Sequence, residues 1–113
     1  MNEVLYQTRL LNQAIKDSDD YTHYRQLTYD LKHDEKLYNR VKEFQKKNFN
    51  LQCIADYNTI DDVKRLRDEY SDILELTIVK EYLGAEQRLL SMLRQVEDDI
   101  LSDIMIDTSA MDD

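Results

Sequence analysis

Val4, Leu11 and Ile15 fall on one side of a helix drawn at 100° per residue, with Thr8 filling the gap. This spacing predicts a first helix from about Glu3 to Lys16. The polar run Asp17-Ser18-Asp19-Asp20 ends it. Ser18 is a good N-cap, and the acids after it suit the positive end of a new helix. A second helix follows from about Asp19 to Lys32, with Tyr21, Tyr24, Leu27, Thr28 and Leu31 as its inward stripe. His33-Asp34 interrupts, and Asp34 can cap a third helix from about Glu35 to Ala55. Its stripe is Leu37, Val41, Phe44, Leu51 and Ala55, with Asn48 in the middle. Asp56-Tyr57-Asn58-Thr59 reads as a turn, and Thr59 with Asp62 resembles a capping box with Asp in place of Glu. From Ile60 to Ile106 the helical pattern is nearly continuous, opening with Val63, Leu66, Tyr70, Ile73 and Leu74. Either Thr77 caps a fresh start or one helix runs through it. Asp107 to Asp113 carry no periodicity, which predicts a frayed tail beyond a single helical domain of residues 2–106.

The last helix carries the most information. Lys80, Gln87, Arg88, Ser91, Arg94, Gln95, Asp98 and Ser102 share one narrow polar arc. Apolar residues from Ile78 to Leu101 fill the remainder, about half the circumference or more, against the roughly 100° that one neighbour covers. Few helices in so short a chain can supply a second layer. The expectation is an antiparallel helical bundle of four to five helices with a long C-terminal helix, paired as a dimer. The expected seam is Val79, Leu83, Glu86, Leu90, Leu93 and Glu97. In the plainer reading, the chain's own first three helices cover everything. Glu86 and Glu97 lie on one line within the apolar arc. Each either pairs across an interface or reaches solvent at the arc's edge, since unpaired burial of a carboxylate costs several kcal/mol.

Composition supports the all-α class. The 113 residues include no proline and one glycine, Gly84, so helix breakers are scarce. Net charge is −9, with 24 acids against 15 bases, which opposes nonspecific binding to nucleic acid or anionic lipid. Charge is nonetheless uneven. Lys36, Arg40 and Lys47 share a flank of the third helix, Lys64 follows after the turn, and no base follows Arg94. The basic flank is a candidate face for an acidic partner or RNA, and a solvated face of salt bridges is the commoner outcome of such a pattern. Acids are poorly placed at a helix C-terminus, so the terminal helix invites a basic partner. The eight tyrosines are many for this length; Tyr21, Tyr24, Tyr70 and Tyr82 fall on inward stripes.

Catalytic chemistry finds no constellation. Cys53 is the single cysteine, so neither an intramolecular disulfide nor a cysteine metal cluster can form, and a lone thiol suits a reducing cytoplasm. His23 and His33 each follow an aspartate by three positions, a spacing seen in carboxylate-bridged metal bundles, but both sit near helix ends amid charge. No glycine-rich phosphate loop is present. The opening residues lack the pattern of a signal peptide, and no run of 18 apolar residues offers a membrane span. These features predict a cytoplasmic, non-enzymatic protein without metal or cofactor.

Several stretches resemble the YlbF/YheA/YmcA family of small helical bacterial regulators. They are Ser18-Asp19-Asp20-Tyr21, the third-helix residues Asp34, Leu37, Val41, Phe44, Leu51 and Gln52, and above all Val79-Lys80-Glu81-Tyr82-Leu83-Gly84-Ala85-Glu86, followed by Leu89, Leu93 and Ile100. Together they span most of residues 4 to 104. The resemblance implies an oligomer-forming regulator that acts through protein–protein contacts. Some relatives regulate competence, sporulation and biofilm formation and assist ribonuclease-dependent mRNA processing. It therefore implies self-association or hetero-oligomers with related helical proteins, a possible place beside a ribonuclease, and no direct grip on nucleic acid. The chain lacks the cysteine-bearing tail linked to iron–sulfur clusters in certain members, and the longer linker before the fourth helix.

Overall fold

The structure, a computed structural model, describes residues 2–54 and 59–106. Six helices are present among the described residues: α1 (Glu3–Asp17), α2 (Asp19–Lys32), α3 (Glu35–Ile54), α4 (Thr59–Glu69), α5 (Ser71–Leu74) and α6 (Thr77–Leu101). The all-α class holds, with one more helix than the four to five expected. Ala55, the turn residues 56–58 and the tail from 107 onward lie outside the described residues, as does the side chain of Thr59.

The caps read from the sequence are in place. Ser18 Oγ accepts from the Tyr21 amide at 3.3 Å, and Asp34 Oδ1 accepts from the Leu37 amide at 3.1 Å. Asn2, which the periodicity did not single out, caps α1 through its side chain onto the Val4 amide at 2.8 Å. The segment from Ile60 onward is cut twice: a fresh start at Thr77 is one of the two readings the pattern allows, and the break at Tyr70 is additional. Tyr70 leaves helical geometry (φ −105°, ψ 14°) as its ring turns into the core, and Leu76 is extended (φ −70°, ψ 134°). No glycine or proline marks either break. The chain stops because Leu66, Tyr70 and Ile73 bury themselves against α3 while Val79 and Tyr82 bury against α2, which a straight rod could not do. Thr77 is therefore the first helical residue rather than a cap, and no side chain caps α6. The helix also ends earlier than its pattern, at Leu101, with Asp103 at φ 61°, a left-handed conformation that Asp tolerates better than most residues.

The core is one cluster, centred on Leu27 and Leu31 of α2, Val41 and Phe44 of α3, Leu66, Tyr70 and Ile73, and Val79, Tyr82 and Ala85 of α6. α2 lies along α6 in the tightest pairing of the fold, and α3 packs on α4 and α5. Tyr24 meets Tyr82 while His23 meets Arg88, so α2 and α6 run in opposite directions. Lys42 meets Tyr82 and Gln45 meets Glu86, so α3 runs with α6. The result is flat, 50 × 41 × 18 Å, with a radius of gyration of 18.9 Å against about 13 Å for a compact chain near this size.

Two regions contribute little to this core. α1 has no buried residue: Leu11 and Ile15 are half-covered, while Val4, Leu5 and Leu10 are exposed. The end of α6 leaves Ile100 and Leu101 exposed, followed by Ile104 to Ile106. Leu31→Ala, at a fully buried position, is expected to lower unfolding free energy by about 2–5 kcal/mol in urea titrations. Leu5→Ala should change it by under about 0.5 kcal/mol. Equal losses would mean that α1 is as well covered as α2.

Candidate functional site

The chain offers surfaces rather than an enclosed centre. The first is the basic flank of α3. Arg40 forms a two-pronged ion pair with Asp72 of α5, one prong at 3.1 Å, and its guanidinium also lies over the Tyr70 ring. Lys47 Nζ donates to the Tyr70 hydroxyl at 2.9 Å and lies 3.6 Å from Glu69. These contacts set the local titration. The hydrogen bond from Arg40 holds the Asp72 carboxyl below the usual range and raises Arg40, while the bond to Tyr70 raises Lys47. Two of the four residues proposed as a partner-binding face thus already hold α3 to the α4–α5 corner. Lys36 and Lys64 are exposed.

A second cluster joins α2, α3 and α6. Tyr82 is fully buried, yet its hydroxyl meets that of Tyr24 at 3.4 Å and receives a hydrogen bond from Lys42. The Lys42 ammonium lies over the rings of both Tyr82 and Tyr38, and Nζ also donates to Gln45 Oε1 at 3.0 Å. Gln45 in turn donates to Glu86 Oε1 at 2.9 Å. Burial, and after it the bond to Tyr24, keep the Tyr82 hydroxyl protonated far above the ordinary tyrosine range. Glu86 is half-buried and satisfied by Gln45 within the chain, while Glu97 is exposed. The sequence left both glutamates open between those outcomes.

The third surface is the outer side of α6. Of the residues read as a seam, Val79 is wholly buried in the chain's own core and therefore belongs to the inner face. Leu83 and Leu93 are half-buried and Leu90 is 37% exposed. Leu83, Glu86 and Leu90 line a groove of 740 Å³ between α3 and α6, with Phe44, Phe49 and Gly84. Periodicity missed this groove because Phe49 falls off the inward stripe of α3, where it reads as a stray exposed ring.

The histidines take local partners: His33 Nδ1 lies 2.9 Å from the Tyr29 carbonyl, and His23 Nδ1 lies 3.3 Å from Arg88. Among the described residues, no group of three or more His, Cys, Asp or Glu side chains is placed to hold a metal ion. Cys53 is an exposed free thiol. No helix among the described residues is long and apolar enough to cross a membrane.

These surfaces belong to a small protein whose described residues form only helices and their connections. Its sequence matches, over residues 4–105, the family described as control of competence regulator ComK, YlbF/YmcA, and the chain belongs to that family. It is also similar to a UPF0342 protein of Halothermothrix orenii, 29% identical over 90 residues that cover 77% of this chain and 76% of the relative. No solved structure matches it.

The Tyr82 cluster gives a pH prediction. The fold favours the neutral phenol, whereas the unfolded chain ionises near pH 10. The stabilisation is therefore complete below about pH 10 and declines as pH rises through and beyond that value. Urea midpoints measured at pH 8 and pH 11 should fall less for Tyr82→Phe than for the wild type. An unchanged alkaline fall would mean that Tyr82 does not contribute to it.

Proposed function

We propose that the chain is a non-enzymatic cytoplasmic adaptor in competence control, working through protein–protein contact and self-associating through the uncovered part of α6. Family membership supports the regulatory role. One observation carries the mode of action: the second half of α6 and the N-terminal half of α1 each leave large apolar side chains open to water. Leu90, Ile100 and Leu101 on α6 are joined by Val4, Leu5 and Leu10 on α1. Large apolar surface left to water marks an interaction site where it gathers into a patch. A partner that covers it gains about 25 cal/mol per Å² of apolar area removed from water.

The roles in sporulation, biofilm formation and ribonuclease-dependent mRNA processing that the family resemblance implies are consistent with an adaptor. In such a complex the partner protein, not this chain, would hold the RNA. Arg40 and Lys47 already sit against Asp72, Glu69 and Tyr70, which reduces the cationic surface open to phosphates.

Light scattering at micromolar concentration should give at least twice the mass of one chain. Leu90→Glu, on the open face, should shift the mass toward that of a monomer. Ser91→Glu, on the polar arc of the same turn, should leave it unchanged. A wild-type chain that stays monomeric would defeat the self-association reading.

A further inference from the structure

We propose that the groove between α3 and α6 receives the acidic end of α6 from a second copy of this chain, and that the exchange is reciprocal. The proposal rests on the self-association reading above and names its contact surface. The groove has an apolar floor, Phe44, Leu83 and Leu90, with the exposed Phe49 beside it. Its rim carries three cations, Arg67, Lys80 and Arg94. Its one carboxylate, Glu86, is engaged by Gln45. An occupant should therefore be an amphipathic helix with apolar residues inward and acids along its margins.

The chain contains such a segment. Glu97, Asp98 and Leu101 continue the face of α6 on which Leu83, Leu90 and Arg94 lie, at successive steps of a heptad or a turn. Leu101 is 60% exposed, and neither Glu97, Asp98 nor Asp99 forms a salt bridge among the described residues. The last turn of α6 contains no base to offset the negative end of the helix. Its end and the groove thus complement each other in both shape class and charge.

Placement on one helix also closes the assembly. The groove is built on α6 between Lys80 and Arg94, and the occupant is the end of the same helix. Two copies meeting antiparallel about a two-fold axis near Arg94 place each acidic end in the other's groove. Both contacts form at once, and no unpaired site is left to propagate a filament.

Gly84 gives independent support. It sits inside α6 and lines the groove, although glycine costs roughly 0.5–1 kcal/mol relative to alanine within a helix. A Cβ there would meet only the flexible tip of Arg88, at 3.4 Å. Among the described residues, beyond its chain neighbours and the helix's own backbone, no other atom comes within 4 Å of such a Cβ. A helix docked closely over the groove would use the missing side chain, as small residues allow two helix backbones to approach.

Charge reversal with rescue tests this arrangement. One variant, Lys80→Glu with Arg94→Glu, makes the groove acidic; the other, Glu97→Lys with Asp98→Lys, makes the end of α6 basic. Each alone sets like charges together and should raise the dimer dissociation constant by about tenfold or more in analytical ultracentrifugation. Mixed together, both contacts regain opposite charges, so a heterodimer of near wild-type affinity should form. Gly84→Leu, which leaves charge unchanged, should fold with undiminished helicity by circular dichroism and also lose the dimer. Wild-type dimerisation by both charge variants, or their failure to rescue each other, would overturn the groove contact while leaving self-association itself intact. A monomeric wild type would remove both readings. As a check independent of folding, a photo-crosslinker at Phe49 in a mixture of isotopically light and heavy chains should capture residues 96–106 of the other copy. Capture of a different segment would also overturn the proposal.

Discussion

The structure depends on a mismatch of lengths. α6 has 25 residues, about 37 Å of helix, while its main neighbour α2 has 14, about 21 Å. Where the two overlap, Val79, Tyr82, Ala85 and Leu89 are buried. Beyond the overlap Met92, Leu93 and Val96 are half-buried, while Leu90, Ile100 and Leu101 stay open to water. Side chains left in water add no burial to the monomer's own stability. That overhang is the surface on which the proposed self-association rests.

The buried part of the fold is stiffened by tyrosines that carry polar tips inward. Tyr82 sits fully enclosed, yet Tyr24 and Lys42 both reach its hydroxyl, so no buried polar side-chain atom among the described residues lacks a partner. Tyr70 plays the corresponding part on another flank of the same stretch of α3: its ring packs against Phe44, with Arg40 and Lys47 on its face. Tyr82 thus ties a cation of α3 to α6, and Tyr70 ties two to the junction of α4 and α5. α3 is held by directional contacts as well as by apolar burial, which fixes the spacing of the groove it shares with α6.

Much of this was legible in the residues themselves. The caps at Ser18 and Asp34 and the stripes of α2 and α3 all follow from local patterns, because caps and periodicity act over one or two turns. The break at Tyr70 was not legible, and the pattern could not choose between a start at Thr77 and a continuous helix, since no breaker residue marks either place and only burial on two different partners imposes the breaks. The ion pairs of the basic flank were not legible for a related reason. Lys36, Arg40, Lys47 and Lys64 look like an open face along the chain, but Asp72 lies 32 positions from Arg40 and reaches it only through the turn of α4 and α5. Val79 shows the limit of a helical wheel. The wheel gives the width of an apolar arc but not which sector of it the molecule keeps for itself.

The distribution of charge follows the same division. A net charge of −9 spread evenly would hinder any self-association. Here it is uneven along one helix: Lys80, Glu81, Glu86 and Arg88 balance in the first half of α6, Arg94 is its last base, and Glu97, Asp98, Asp99 and Asp103 stand at or beyond its open end. In the proposed dimer, a parallel meeting of two α6 helices would set the two acidic ends side by side, whereas an antiparallel one would lay each against the neutral half and Arg94 of the other. Charge would thereby disfavour the parallel orientation, a choice that the exposed leucines and isoleucines, being indifferent to direction, could not make.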